Sequence, residues 1–180
     1  VKTVLWLVGT PGVGKTTLAR RLLEPLSRLN PKPKWTIGQR IVAAGHYAGG
    51  PFDGADTVPY NGAAEALNFW TTHLAMRAEL TLFDGDRFSN ALPVSFFRSL
   101  PYAPNIRLVC ALLTLPPEEA QARRDTRGSK QNASWVKGRE TKSRRFWETF
   151  PEGDRVELDA RRVPEVLERS LREFLRQEGT

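Results

Sequence analysis

The run Gly9-Thr10-Pro11-Gly12-Val13-Gly14-Lys15-Thr16 constrains this chain more than any other stretch. It has the form G-x-x-x-x-G-K-[ST] and lies between an unbroken apolar run, Val4 to Val8, and a helical pattern that begins at Lys15. An apolar run of that kind reads as a strand buried on both faces, as inside a parallel sheet. The local order is therefore strand, glycine-rich turn, helix. In that context the glycines let backbone N–H groups point inward around a phosphate, and the helix N-terminus adds positive potential. Gly9, Thr10, Pro11, Gly12, Val13 and Gly14 form the cradle, Lys15 reaches the terminal phosphates, the Thr16 hydroxyl ligates Mg²⁺, and Thr17 stands near the α-phosphate.

The rest of the chain continues the alternation. Lys15 to Arg28 is predicted helical with Leu18, Leu22, Leu23 and Leu26 on its apolar side, closing or kinking near Pro25. Trp35–Ile37 and Arg40–Ala44 flank Gly38-Gln39 as a β-hairpin. Gly45 to Gly62 is glycine- and proline-rich and reads as either an ordered functional loop or a mobile one. Helices are expected over Ala63–Arg77, Leu92–Leu100, Pro116 to Arg124, Ser134–Phe150 and Val163–Arg176, and strands over Leu80–Phe83, Ile106–Leu113 and Val156–Leu158. Strands alternating with helices predict an α/β protein with helices on both faces of a mostly parallel sheet. With 180 residues, no repeat and no linker, one domain spanning residues 1–180 is expected.

No apolar run approaches the length that crosses a bilayer, so no membrane partner is expected. One cysteine, Cys110, makes no internal disulfide, and the cytoplasm is the expected location. With only His46, His73 and that cysteine, a zinc site is not credible.

Leu80-Thr81-Leu82-Phe83-Asp84 is an apolar strand ending in a carboxylate, which suits Asp84 to hold a metal-bound water; the plain alternative is a turn. Arg87, three residues on, either grips a phosphate or pairs with Asp86. Phosphoryl transfer to an alcohol also needs a base for the departing hydroxyl proton. Asp53 and Asp56 in the glycine-rich loop are the candidates, with Asp53-Gly54 readable simply as a turn. His46 and Tyr47 line the same pocket. From Arg123 to Arg145 the chain carries nine basic and two acidic residues, so the excess of +7 in the whole chain falls on this one window. Arg123, Arg124, Arg127, Lys130, Lys137, Arg139, Lys142, Arg144 and Arg145 are interleaved with Trp135, Phe146 and Trp147. Such a segment closes over a nucleotide as a lid, tracks a nucleic-acid backbone, or forms a solvated helix.

The phosphate loop, the Asp84-Gly85-Asp86-Arg87 element and the arginine-rich late segment resemble the small P-loop kinases of the nucleoside, nucleotide and gluconate kinase type. The loop from Gly45 to Asp56 and the segment from Arg127 to Lys142 are similar to a bacteriophage group resembling the 5-hydroxymethyluracil DNA kinases. That group commonly reads Gly-Thr-Asp where this chain has Gly54-Ala55-Asp56. The resemblance implies a three-layer P-loop kinase fold with a basic lid over about 123–147. It implies an ATP- and Mg²⁺-dependent transfer to the hydroxymethyl group of 5-hydroxymethyluracil in DNA. A small-molecule deoxynucleoside or nucleoside monophosphate kinase is the alternative. It further implies Lys15, Asp56, Asp53, Asp84 and Arg127 as catalytic, Thr16 and Asp84 at the metal, and Arg123 at the nucleotide. Tyr47, Arg87, Lys137, Arg139 and Lys142 would face the acceptor or DNA.

Overall fold

The computed structural model describes residues 1–25, 27–50, 53–126, 128 and 130–177. Arg127 and Phe52 lie outside the described residues.

Seven strands form one sheet in the order β2-β3-β4-β5-β1-β6-β7. They are β1 (Lys2–Gly9), β2 (Arg28–Pro31), β3 (Lys34–Ile37), β4 (Ile41–Ala44), β5 (Leu80–Asp84), β6 (Ile106–Thr114) and β7 (Arg155–Asp159). β4, β5, β1, β6 and β7 pair in parallel, and β3 runs antiparallel to both neighbours. The helices are α1 (Lys15–Leu22), α2 (Ala63–Phe69), α3 (Ala91–Ser99), α4 (Pro117–Thr126), α5 (Ala133–Glu148) and α6 (Pro164–Arg176).

Alternation along β1 builds both cores. Val4, Trp6 and Val8 pack with Ala66 and Leu67 of α2, Val94 and Phe97 of α3, and Phe146 of α5. Leu5 and Leu7 face the other way, onto Leu18 and Leu22 of α1, Ala120 of α4, and Leu167, Leu171 and Phe174 of α6. Successive strand side chains point to opposite faces, so one apolar strand glues two helical layers to the sheet. Trp6 anchors the first core with ring contacts to Phe83, Phe97, Phe146 and Phe150, and its indole N–H donates to the Phe88 carbonyl at 2.9 Å. Among the described residues no helix is long and apolar enough to cross a membrane.

The sequence expectation for the first helix is corrected. α1 ends at Leu22, with Leu23 extended (φ −69°, ψ 150°), and Arg28–Pro31 is an edge strand. Pro25 has no amide hydrogen to continue the ladder and disfavours helical geometry at Glu24. Glu24 instead turns its carboxylate to the hairpin, accepting from the Arg40 amide at 3.0 Å. Gly38 donates to the Ile41 carbonyl at 2.9 Å, which centres the turn on Gln39-Arg40, one residue beyond the expected place. The expected Ala63–Arg77 helix is α2 followed by a wider π-turn over Trp70–Leu74, where the Ala75 amide bonds the Trp70 carbonyl at 2.8 Å. That turn buries both Trp70 and Leu74.

Candidate phosphoryl-transfer site

The phosphate loop joins the end of β1 to α1, at the point where the chain order across the sheet reverses between β5 on one side of β1 and β6 on the other. In open α/β sheets the crevice outside the strand C-termini at such a point is where ligands bind. Thr16, in the first turn of α1, donates from its hydroxyl to Oδ2 of Asp84 at the end of β5, at 2.9 Å. Oδ1 of Asp84 accepts from the Ala55 amide, also at 2.9 Å. Lys15 curls back so that Nζ donates to the carbonyls of Gly9 (2.8 Å) and Thr10 (3.2 Å). Burial pushes the Asp84 carboxyl above its ordinary value, and the Ala55 amide, the Thr16 hydroxyl and the Lys15 charge offset this only in part.

Two glycines are dictated by close approach. A Cβ on Gly54 (φ +78°) would sit 2.5 Å from Oδ1 of Asp84. One on Gly12 (φ +89°) would sit 2.9 Å from Cγ of Arg124. Arg124 is buried and donates to the Pro11 carbonyl at 3.0 Å, holding the loop from the α4 side. Val13 puts its side chain in the core and its amide on the Thr10 carbonyl, while Thr17 is exposed on α1.

The two loop carboxylates separate by environment. Asp53 is held by Arg20, with Nε at 2.9 Å, and accepts amide hydrogens from Ala48, Gly49 and Gly50. Its side chain is 3% exposed. Burial works to raise its carboxyl, but Arg20 and the Gly49 and Ala48 amides outweigh that and hold it below the ordinary value. Every sound position around this carboxylate is occupied by a donor, which makes it a loop clamp. Asp56 is the middle residue of a short 3-10 turn over Ala55–Thr57, next to the amide that binds Asp84, and its side chain is 75% exposed, 4.0 Å from Nε of Arg87.

The remaining candidates fall in several places. The Tyr47 hydroxyl is buried beside the Asp84 carboxylate; burial first, then the charge and proximity of Asp84, push its ionisation well above the ordinary phenol. His46 bonds the Asn30 carbonyl of β2 at 2.7 Å. Arg87 stacks over the Tyr60 ring, 3.4 Å from its centroid, and pairs with Asp56, not with the adjacent Asp86. Asp86 instead pairs with Arg139 at 3.0 Å, and Arg139 lies over the Trp135 ring. Arg123 donates to the Ala160 carbonyl at 2.9 Å, and Arg144 pairs with Glu157. Lys130, Lys137, Lys142 and Arg145 are exposed. Phe146, interleaved with these cations in sequence, is in the core.

Arg20, Tyr60 and the Ala55 amide escaped the sequence reading, as did the buried contact of Arg124 with the loop. Arg20 lies five residues beyond Lys15 with nothing local to mark its partner. Gly54 was the one available signal, since a glycine after a candidate acid marks close backbone approach as well as a turn.

No protein-family model and no curated protein sequence matches the chain. Solved structures do share its fold. An unliganded sugar kinase from Janibacter sp. superposes with a TM-score of 0.56 at 18% identity, over 97% of this chain and 94% of that one. A deoxyadenosine kinase from M. mycoides, with products dCMP and dCDP bound, superposes with a TM-score of 0.52 at 14% identity, over 96% of this chain and 98% of that one. The chain therefore has the α/β fold of nucleoside and sugar kinases from end to end.

Proposed function

We propose that this protein is an ATP- and Mg²⁺-dependent phosphotransferase with an alcohol acceptor, one catalytic domain whose basic segment 123–147 closes over the nucleotide. The observation that carries the reading is the 2.9 Å hydrogen bond from Thr16 to Asp84 beside Lys15. A loop that fits phosphate, a hydroxyl and a buried carboxylate converge on one point, and the kinase fold supports the same chemistry. A Mg²⁺ ion shared with substrate phosphates takes only one or two ligands from the protein. Thr16 and Asp84 would hold that ion, whose part is to neutralise charge on the phosphates.

The bond from the γ-phosphorus to the β–γ bridging oxygen breaks as the acceptor oxygen bonds the same phosphorus. The acceptor proton passes to Asp56, an exposed carboxylate whose neighbour Ala55 donates its amide to Asp84, while Asp53 keeps the loop closed. Lys15, released from the Gly9 and Thr10 carbonyls, moves to the terminal phosphates. Loop amides fix the nucleotide in register, because positioning and charge stabilisation supply most of the catalysis in such reactions.

For the acceptor we infer the hydroxymethyl group of 5-hydroxymethyluracil in DNA. The support is the sequence resemblance over Gly45–Asp56 and 127–142 together with the exposed cations Lys130, Lys137, Lys142 and Arg145. A small-molecule acceptor, a deoxynucleoside or its monophosphate, is favoured by a different observation: Arg123, Arg124, Arg139 and Arg144 are engaged within the protein. Transfer of labelled γ-phosphate to hydroxymethyluracil duplex, ordinary duplex and free deoxynucleosides separates the two. Label in the modified duplex alone is the expected result. Label in the free deoxynucleosides alone gives the second reading, and ATP hydrolysis without label in any acceptor overturns both.

A further inference from the structure

We propose that Tyr60 is the stacking platform for the acceptor's base, an inference that rests on the phosphotransferase reading and names the ring-binding residue of the same site. Tyr60 is 85% exposed, a large apolar ring left in water on the loop between the Ala55–Thr57 turn and α2. It is nevertheless held in place. The Arg87 guanidinium lies 3.4 Å from the ring centroid, and the Arg87 side chain is itself only 16% exposed. One face of the ring is covered by a seated cation and the other is open to a ligand.

The position of that open face selects the ligand. Arg87 is also 4.0 Å from Asp56, so a single side chain touches both the ring and the carboxylate proposed to take the acceptor's proton. An acceptor whose hydroxyl is carried on a planar heteroaromatic ring can lay that ring on Tyr60 while its hydroxyl meets Asp56. Aromatic stacking tolerates any base, because each presents a π-face, and it holds a base whether it is extruded from a duplex or part of a free nucleoside. Among the described residues, the exposed Trp135 has Arg139 over its ring, and Tyr47 turns its hydroxyl into the protein.

The test compares Tyr60→Ala, Tyr60→Trp and the parent protein in two measurements. The first is transfer kinetics with hydroxymethyluracil oligonucleotide and with 5-hydroxymethyl-2′-deoxyuridine. The second is equilibrium binding of each without ATP. Because the side chain is exposed, the substitutions leave the fold in place, checked by an unchanged melting temperature. Tyr60→Ala is expected to raise KM and Kd for base-bearing acceptors on the order of tenfold, with kcat and the KM for ATP held, and Tyr60→Trp to restore both. Unchanged acceptor KM and Kd in Tyr60→Ala overturns the proposal. So does a fall in kcat at constant acceptor KM, which would make Tyr60 a support for Arg87 and Asp56 only. If the parent transfers phosphate to neither acceptor, the phosphotransferase reading fails, and the binding measurement alone still decides whether Tyr60 holds a base.

Discussion

Thr16 and Asp84 lie 68 residues apart in sequence and meet through a single 2.9 Å hydrogen bond. That contact ties the first turn of α1 to the end of β5, and the proposed reading puts a cation shared with phosphates at this hydroxyl and carboxylate. Burial disfavours the charged form of Asp84, so its charge does little to hold the fold.

Asp84→Asn is therefore expected to shift the Mg²⁺ concentration for half-maximal transfer upward by about tenfold or more, while the melting temperature holds or rises. The neutral amide removes a charge that burial disfavours and keeps a group able to accept from Ala55. Titrating Mg²⁺ against transfer rate, with a thermal melt of the same sample, reads both.

Lys15→Ala is expected to lower transfer on the order of a hundredfold or more, as removal of a preorganised electrostatic group does. The fold should hold, because Lys15 is a surface-edge side chain of the glycine loop whose bonds to the Gly9 and Thr10 carbonyls lie outside both hydrophobic cores. Near-parent turnover in this variant would remove the phosphate loop from the mechanism.

The two loop acids should part company under mutation. Asp56→Asn is expected to slow transfer by roughly 10²- to 10⁴-fold with stability unchanged. Asp53→Asn is expected to cost about 1–3 kcal/mol of stability, since a buried acceptor of an arginine and three amides loses its charge. Its folded-state carboxyl is held below the ordinary 3.8. The stabilisation it supplies is thus fully present above that value and disappears as pH falls through the lower, folded-state value. Parent Asp53 protein should lose this increment in acid, and Asp53→Asn should show a correspondingly flatter stability profile there.

The fold was legible in the sequence because its signals are local. The apolar runs at Val4–Val8 and Ile106–Leu113, the glycine loop and the proline stops each carry their own physics. The edge strand β2 was missed because Arg28–Pro31 has no strand periodicity; it forms by pairing with β3 and not by burying a face. The site was half legible. Lys15, Thr16 and Asp84 follow from motif and strand end, whereas the distinction between Asp53 and Asp56 depends on Arg20, a long-range partner that no spacing announces.

Binding to duplex DNA should follow the exposed cations and not the full basic window. With Lys130, Lys137, Lys142 and Arg145 available on the described surface, the log–log salt slope is expected near −3 to −4. Lys137→Glu with Lys142→Glu should flatten it and raise the KM for DNA, with less effect on ATP, as groups that position a duplex do. Salt-independent binding of the parent protein would set the DNA acceptor aside.

Arg124 gives the phosphate loop an unusual inheritance. Its guanidinium bonds the Pro11 carbonyl 113 residues away, and its aliphatic stem fills the space a side chain at Gly12 would need. The backbone at Pro11–Gly12 and the α4 side chain that packs on it are consequently coupled, so a change at Arg124 on the buried edge of α4 acts on the glycine loop as directly as a change at Gly12 would.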